Sequence, residues 1–287
     1  MNIQRCAVTG ASGYLGSRIV RHFRQRGWPV LEMSRALTRS EFAVPYSLTD
    51  EITPDVFKGI DALIHCAHDF NARTEAEMRR VNIEGSLRLF RAAKSAGVGT
   101  VIFISSMAAF EGCRSLYGRA KLEIEGAAMR QGAMVVRPGT IYGQDAGGLT
   151  KSLRQVVKKL PVVPVIGSGK HPLYLAHEAD VCELLFALCE KRVAANITGP
   201  INACARPAVS FGQLLKTLAA AEGKRPIFVP VPWPLVLGGL KFLEALGLKP
   251  GLRSDSVTSL VHFNTQPDFT MTARLGLPFR KFNVEDL

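Results

Sequence analysis

A serine pair and a Tyr-x-x-x-Lys spacing are the features of this sequence best suited to catalysis. Ser105 and Ser106 follow an apolar run, and Tyr117 and Lys121 lie four residues apart in the predicted helix 116–130. This spacing places the phenol and the ammonium on one helix face. An isolated tyrosine titrates near pH ~10, and an adjacent ammonium favours its phenolate form. We therefore predict that Tyr117 is the acid/base, that Ser106 hydrogen-bonds the substrate oxygen, and that Lys121 lowers the tyrosine pKa and holds the cofactor ribose.

The segment TGASGYLG predicts a turn that binds the pyrophosphate of a dinucleotide. It lies between a predicted strand, residues 3–8, and a predicted helix, residues 14–26. Glycines at such a junction allow a positive φ, a close approach of backbone amides to the phosphates, and close packing of the helix on the strand. The helix N-terminus adds amide donors and partial positive charge. The predicted cofactor contacts here are Gly10, Ser12, Gly13, Tyr14, Leu15 and Gly16.

The end of the second predicted strand bears on which dinucleotide is bound. An acidic residue there would bind the ribose 2′-hydroxyl of NAD. The strand instead ends in Ser34 and Arg35, whose side chains suit a 2′-phosphate, and Glu32 is expected to point away from the ligand. We predict NADP as the preferred cofactor, with NAD as the alternative.

The elements that position these residues alternate between β-branched runs and helical patterns, which is typical of parallel βαβ units. We predict an α/β fold: a Rossmann doubly wound parallel sheet with a smaller mixed C-terminal substrate domain. Residues 1–145 form the predicted NAD(P)-binding domain and residues 146–287 mainly the substrate domain, with segments near 160–203 returning to the Rossmann core. The predicted strands are 3–8, 29–33, 62–65, 101–104 and 134–136, and the predicted helices are 14–26, 74–96, 116–130, 179–191, 211–222 and 235–246.

The motifs together resemble those of an extended short-chain dehydrogenase/reductase of the nucleotide-sugar epimerase/dehydratase group. The resemblance rests on TGASGYLG, DALIHCAH, VNIEGSLRLFRAA, FISSMAAFEG, YGRAK and RPGTIYG, and more weakly on Asp180-Val181 before a helix. It implies an adenine-side position for Asp50 and both a structural and a cofactor-side role for Asn82. It also implies cofactor contacts by Cys66, Ala67, His68 and Ser105, and closure over the nicotinamide by Arg137, Pro138 and Gly139.

Departures from the group's pattern narrow the reaction. Met107 and Ala108 stand where dehydratases of this group carry an Asp-Glu pair, so a 4,6-dehydratase is disfavoured. Phe110 replaces a usual tyrosine. In the presumed substrate domain, Lys151, Arg154 and Arg253 are candidates for contacting a substrate diphosphate, with ordinary surface charges as the alternative.

Composition limits the class of partner. The chain has 287 residues and a formal net charge of +12, but its Lys and Arg residues are dispersed without interleaved aromatic residues, which argues against nucleic-acid binding. No export signal or membrane-spanning segment is expected, and the scattered cysteines are expected to be reduced, so a cytoplasmic protein without a metal site is predicted. Residues 232–248 fit either a helix packed on the substrate domain or a peripheral membrane-surface helix. A homodimer is compatible with the sequence.

The residues leave two reactions open for the lead hypothesis, an NAD(P)-dependent oxidoreductase acting on a ketone or alcohol carbon. A reductase would release oxidised cofactor, whereas an epimerase would return the hydride to the other face of the substrate. The expected substrate is a nucleotide sugar, or a comparable phosphorylated or lipid-linked alcohol. The rival hypothesis is a non-catalytic cofactor-binding redox sensor or assembly subunit, which would have no need of Ser106, Tyr117 and Lys121.

Overall fold

The computed structural model describes residues 4–36, 40–144, 147–191, 196–248 and 251–286. Strands and helices alternate through its first half. These elements are β1 (Cys6–Thr9), α1 (Tyr14–Gln25), β2 (Val30–Ser34), β3 (Ala43–Pro45), a 3-10 turn (Pro54–Phe57), β4 (Ala62–His65), α2 (Glu75–Glu77), a π-helical segment (Met78–Ile83), α3 (Glu84–Ser95), β5 (Thr100–Ile104), α4 (Leu116–Arg130), β6 (Met134–Pro138) and β7 (Thr140–Tyr142).

The second half consists of shorter strands and more varied helices. These elements are α5 (Gly148–Lys159), β8 (Val162–Ile166), β9 (Pro172–Leu173), β10 (Leu175–His177), α6 (Glu178–Cys189), β11 (Ile201–Ala203), β12 (Val209–Ser210), α7 (Phe211–Ala221), β13 (Ile227–Val231), α8 (Trp233–Ala245), α9 (Ser254–Val261), α10 (Thr270–Leu275) and a final 3-10 turn (Val284–Asp286).

The central sheet is parallel throughout and confirms the predicted fold class. Across the described ranges it has seven strands in the order β3-β2-β1-β4-β5-β6-β11, and each neighbouring pair is parallel. The order reverses direction between β1 and β4. In open α/β sheets, ligands bind in the crevice at the carboxyl ends of the strands beside such a reversal.

Burial on both faces explains the apolar strands. All four residues of β1 and of β4 are buried. On one face, α1 and α6 pack together and Phe23 meets Phe186 edge to face at 5.0 Å between ring centroids. The other face is covered by α3 and α4, which contribute Leu89 and Ile124 to its cores.

The C-terminal half has a second core of its own. Helices α5 and α7 pack together, and Leu153, Leu214 and Leu218 are buried between them and the strand pair β8–β13. In contrast, β11 joins the central sheet beside β6, and α6 covers β1. The chain thus returns to the sheet layer within the range 160–203, while the boundary between residues 145 and 146 stays a prediction.

The predicted helix 74–96 differs most from the structure, because the π-helical segment Met78–Ile83 interrupts it. The side chain of Asn82 in this segment bonds both the amide and the carbonyl of Asp69, and the Ser86 hydroxyl donates to the carbonyl of Asn82. π-helical turns are frequent at functional sites. Three helices, α5, α9 and α10, were not predicted, and the first residue of the predicted strand 3–8 lies outside the described residues.

Candidate active site

A cleft of about 790 Å³ opens at the carboxyl ends of the central strands and extends into the C-terminal half. Most of the predicted site residues meet there. Those lining the cleft are Gly10, Ser12, Gly13, Tyr14, Leu15, Gly16, Ser34, Arg35, Cys66, Ala67, His68, Ser105, Ser106, Tyr117, Lys121, Pro138 and Gly139.

The glycine turn has the geometry of a phosphate cradle. Gly10 has a φ of +67°, which favours glycine, and a Cβ there would press on the backbone of Ala67. A Cβ on Gly16 would overlap the carbonyl oxygen of Gly10, so this glycine lets α1 approach the turn. Gly13 caps α1 without any side-chain hydrogen bond to the first amides of the helix. Those amides suit a pyrophosphate, as the sequence predicted.

The end of β2 presents polar groups of the predicted kind. Ser34 and Arg35 line the cleft, whereas the buried carboxylate of Glu32 pairs with Arg24 at 2.7 Å. Tyr46 and Leu48, which the sequence did not single out, line the same end of the cleft. The geometry leaves this end with a guanidinium and no carboxylate from β2.

A chain of hydrogen bonds fixes the loop after β4. The Thr9 hydroxyl accepts the amides of Cys66 and Ala67, both at 3.2 Å, and faces Nδ1 of His65 at 2.6 Å. Nε2 of His65 faces the Ser86 hydroxyl at 2.8 Å. Burial lowers the pKa of His65 to about 3. The neutral ring therefore accepts the Thr9 hydroxyl at Nδ1 and donates from Nε2 to the Ser86 hydroxyl. With the ring in this orientation, Thr9 holds the backbone at Cys66 and Ala67 against the glycine turn.

The catalytic set converges at the middle of the cleft. Ser106 lies close enough to the Tyr117 phenol to lower its pKa, but burial has the larger effect and raises that pKa to about 12. The phenol is enclosed by aromatic rings, with His68 edge-on at 5.0 Å and Phe70 stacked at 5.8 Å between centroids. Tyr117 is therefore protonated at neutral pH. Lys121 is not among the groups that shift the phenol's pKa in the structure, so the lowering of the tyrosine pKa by Lys121 stays a prediction.

Lys121 is buried below the tyrosine on the same face of α4. Its Nζ donates to the carbonyl of Ile104 at 2.8 Å and lies 4.6 Å from the ring centre of Phe103 and 5.8 Å from that of Tyr117. Burial lowers the pKa of Lys121 to about 8. The ammonium is thus fixed at the carboxyl end of β5, within electrostatic reach of the phenol.

A buried carboxylate that the sequence analysis missed supports this set. Glu125 lies four residues after Lys121, is fully buried, and accepts two bonds from the Arg137 guanidinium at 2.8 and 2.6 Å. It also accepts the Ser105 hydroxyl. The bidentate pair joins α4 to β6 and orients Ser105. The i, i+4 continuation Tyr117, Lys121, Glu125 was the available signal.

Three predicted cofactor contacts do not line the cleft. Asp50 accepts the amide of Ser47 in an exposed turn, Asn82 is buried against Asp69, and Arg137 pairs with Glu125. Each of the three side chains holds a segment that does line the cleft, so all three fit supporting roles. Direct cofactor contact by these three residues stays a prediction.

The C-terminal half closes the cleft with both apolar and polar side chains, the polar ones including Ser152, Asp255, Ser256, Ser259 and Asn264. Leu149, Leu173, Leu252, Leu260 and Phe263 line it, and Arg253 is the one cation that this half contributes within the described residues. Of the other candidates for a diphosphate contact, Lys151 lies outside the cleft and Arg154 pairs with Glu222.

One residue of the C-terminal half contacts the catalytic helix directly. The carboxylate of Asp255 in α9 accepts the amides of Leu116 and Tyr117 at 2.7 and 3.0 Å. Ser115 caps the same helix by accepting the amide of Gly118. An anion at a helix N-terminus is stabilising, so α9 fixes the start of α4.

The donors present fit a nicotinamide dinucleotide. The glycine cradle and the first turn of α1, whose amides no side chain caps, line the cleft, and so does His68, whose buried Nε2 has no hydrogen-bond partner among the described residues. No group of His, Cys, Asp or Glu in the described parts of the chain has the arrangement of a metal site. Similarly, no helix in those parts is long and apolar enough to cross a bilayer.

A doubly wound sheet with a glycine turn at β1 and a Ser/Tyr/Lys set beside the reversal point defines a nicotinamide-dependent protein of the short-chain dehydrogenase/reductase type. The sequence matches the NAD dependent epimerase/dehydratase family over residues 6–204, and the chain belongs to that family. The family confirms the resemblance found in the sequence and the nicotinamide dinucleotide cofactor. It supports an NAD-dependent enzyme of this type, whereas the preference for NADP stays a prediction.

Curated relatives share about a third of their residues with this chain. Ceramide reductase of Caulobacter vibrioides is 30% identical, covering 83% of this chain and 77% of that protein. Methionine adenosyltransferase 2 subunit beta of Xenopus tropicalis is 31% identical, over 66% and 63%. A 4-hydroxy-2-methyl-3-oxo-4-farnesyl-3,4-dihydroquinoline-1-oxide ketoreductase of Stigmatella aurantiaca is 28% identical, over 65% of each. The chain thus spans less than two thirds of the latter two relatives.

Solved structures show the same fold. MoeE5 in complex with UDP-glucose and NAD superimposes with a TM-score of 0.72 at 21% identity, covering 98% of this chain and 95% of that one. At this identity the likeness establishes the architecture alone.

Proposed function

We propose that this protein is an NADP(H)-dependent ketoreductase that acts on an apolar, lipid-like ketone. The observation that carries the reaction is the convergence of Ser106, Tyr117 and Lys121 on one cleft beside the glycine turn of β1. A protein that only bound a dinucleotide would have no need of all three. Bound at this cradle, the dinucleotide supplies the hydride that reduces the carbonyl carbon.

The protein's own part in the reaction is to deliver a proton. Tyr117, protonated because its pKa is raised to about 12, donates its proton to the ketone oxygen while Ser106 hydrogen-bonds that oxygen. The buried ammonium of Lys121 stabilises the phenolate that remains. The hydride that a bound dinucleotide would supply adds to the carbonyl carbon and the proton of Tyr117 adds to the oxygen, so the ketone becomes an alcohol.

Charge and polarity of the cleft favour an apolar substrate over a nucleotide sugar. A diphosphate requires several cations or amides, and the C-terminal half contributes only Arg253 to the described lining. The remaining wall on that side combines aliphatic and aromatic side chains with the neutral polar groups of Ser152, Ser256, Ser259 and Asn264 and with the carboxylate of Asp255. The names of two relatives, ceramide reductase and the farnesyl-quinoline ketoreductase, support the same substrate class. The nucleotide-sugar epimerase remains the alternative.

A second candidate is a cofactor-binding subunit of a larger enzyme. The similarity to methionine adenosyltransferase 2 subunit beta favours this reading. The two candidates differ in turnover, since a subunit would bind the dinucleotide without consuming it.

The first experiment measures oxidation of NADPH and of NADH with long-chain 3-keto lipids and with UDP-sugars. Tyr117→Phe is expected to lower kcat for the keto lipid at least about 100-fold, because it removes the proton donor, while the NADPH Kd stays within about twofold. Tyr142→Phe is the matched control, since Tyr142 is buried away from the cleft and its hydroxyl has no described partner. Turnover of UDP-sugars without net cofactor oxidation would replace the proposal with epimerisation, and binding without any turnover would favour the subunit.

Cofactor preference is tested in the same assay. Arg35→Ala is expected to raise the NADPH Kd about tenfold and to leave the NADH Kd unchanged, because it removes the cation suited to the 2′-phosphate. Arg91→Ala, an exposed arginine of α3, serves as the control. Equal affinity of the unaltered protein for both cofactors would contradict the assignment.

A further inference from the structure

Helix α8 has apolar or small residues on all sides, with Lys241 and Glu244 as its charged residues, but none of its residues is fully buried. Its inner side chains, Trp233, Val236, Leu237 and Leu240, pack against the second core. Its outer side chains include Leu235 and Phe242, which are 68% and 65% exposed, and Leu246 just beyond its end is 61% exposed. A helix that is apolar on all sides is normally buried. The outer face of α8 is therefore an exposed apolar surface of the kind that binds a partner.

The strand pair next to α8 has the same character. In β8 and β13, Val162 lies beside Ile227, and both are exposed, whereas Val163 and Val165 point into the core. Val229, two residues on from Ile227, is exposed as well. Only Pro232 separates β13 from α8. We refer to the exposed side chains of these elements as the apolar patch: Val162, Ile227, Val229, Leu235, Phe242 and Leu246.

Exposed cations surround the apolar patch, and the two carboxylates that flank it in the sequence have partners of their own: Glu222 pairs with Arg154 and Lys158, and Glu244 accepts bonds from Ser254. From Lys224 to Leu243 the sequence contains Lys224, Arg225 and Lys241 and no Asp or Glu. Lys159 precedes β8 at the end where Lys224 and Arg225 precede β13, because the two strands are parallel. These four side chains are exposed, and none pairs with a carboxylate within the described ranges. An apolar surface with such a margin is complementary to anionic lipid headgroups.

The apolar patch is close in sequence to residues that line the cleft. After α8 the exposed Leu246 and Leu248 are followed, a few residues along the chain, by Gly251 and Leu252, which line the cleft. The neighbouring cleft wall includes the apolar side chain of Leu260. A surface that contacts a bilayer through the patch would hold the apolar side of the cleft near the acyl chains.

We propose that the apolar patch docks on an anionic phospholipid bilayer and that the substrate enters the cleft from that bilayer. The docking follows from the apolar patch and its cations alone, while the route of the substrate rests on the proposed function. The partner is a lipid surface, and a second copy of this chain is the outcome that would contradict it.

The test is co-sedimentation of the full chain with vesicles of phosphatidylcholine alone and of phosphatidylcholine mixed with phosphatidylglycerol. The unaltered protein is expected to sediment with the mixed vesicles. The double variant Leu235→Ser/Phe242→Ser should bind them at least about tenfold more weakly, because two large side chains no longer enter the interface. Phe42→Ser/Met129→Ser, which alters two exposed apolar residues outside the patch, is the matched control and should bind normally.

A charge variant separates lipid binding from general stickiness. Lys224→Glu/Lys241→Glu is expected to weaken binding to the mixed vesicles about tenfold. Failure of the unaltered protein to bind mixed vesicles would overturn the proposal. The proposal would also be overturned if Leu235→Ser/Phe242→Ser bound vesicles normally but changed from dimer to monomer in light scattering.

Activity distinguishes failure of the docking from failure of the proposed function. The double variants Leu235→Ser/Phe242→Ser and Lys224→Glu/Lys241→Glu should both reduce a short, water-soluble ketone at the unaltered rate. Both should lose at least about tenfold of kcat/KM for a keto lipid presented in mixed vesicles. Vesicle binding without any ketone reduction would refute the proposed function and leave the docking intact. Equal loss of rate on the soluble ketone would show that the patch supports folding instead, and would overturn the docking.

Discussion

Exchange of His65 for glutamine tests the hydrogen-bonded chain that supports the cofactor cleft. His65 is fully buried between Thr9 and Ser86, and burial lowers its pKa from 6.5 to about 3. Above pH ~6.5 the imidazole is neutral in both the folded and the unfolded state, so its titration contributes nothing to the pH dependence. Below that pH the unfolded chain takes up a proton that the folded protein excludes. The free energy of unfolding therefore falls as the pH drops from about 6.5 towards 3.

The magnitude follows from the distance between the two pKa values. Each pH unit below the unfolded pKa costs about 1.4 kcal/mol, so His65 accounts for a loss of about 2 kcal/mol between pH ~7 and pH ~5. Urea unfolding at both pH values gives the loss for each protein. His65→Gln will be less stable at pH ~7, because glutamine does not fill the ring's space, but its loss on acidification should be about 2 kcal/mol smaller than that of the unaltered protein.

Ser86→Ala is the control for this prediction. It removes one hydrogen bond of the ring but keeps the buried imidazole, so its acid-induced loss should match that of the unaltered protein. An equal loss in His65→Gln and the unaltered protein would refute the assignment of a neutral, buried His65.

Three other substitutions and conditions test the site. Arg137→Met leaves the buried Glu125 carboxylate without its guanidinium and should lower the free energy of unfolding by ~3–5 kcal/mol in urea, whereas Glu125→Leu/Arg137→Met should recover most of it. Gly16→Ala should weaken NADPH binding at least about tenfold by fluorescence titration, because a Cβ would overlap the Gly10 carbonyl, while Gly126→Ala should not. The profile of kcat/KM against pH should fall above pH ~8, where Lys121 with its pKa lowered to about 8 loses its proton, and Lys121→Arg should remove that inflection.

Local spacing allowed the sequence to predict the parts of the site that lie on one element. The glycine turn follows from a strand, three glycines and a helix in succession, and Tyr117 and Lys121 share a face of α4 because they are four residues apart. The helix bounds 116–130 agree with the structure because Ser115 supplies a hydroxyl cap at its start. Such features depend on neighbours in the chain.

Features that depend on tertiary contacts were beyond the reach of the sequence pattern. In the sequence Glu125 looks like an ordinary helix residue, because its partner Arg137 lies on β6 and meets it only in the folded protein. The hydrophobic pattern of a 3.6-residue helix does not reveal the π-helical segment, because its distinguishing feature is the tertiary hydrogen bond between Asn82 and Asp69. The raised pKa of Tyr117 was missed because the nearby ammonium was visible in the sequence, whereas the enclosure by His68 and Phe70 was not.

The contact between α9 and α4 connects the C-terminal half of the chain with the phenol of Tyr117. Asp255 holds the first amides of α4, and its negative charge also raises the pKa of Tyr117. Gly118, whose Cβ would overlap the carbonyl of Ala108, lets the same turn of α4 press against the loop that carries Ser106. The C-terminal half thus positions the phenol and, through Asp255, adds to the effect of burial that keeps the phenol protonated. A protonated phenol is the form that donates to a carbonyl oxygen, as the proposed reduction requires.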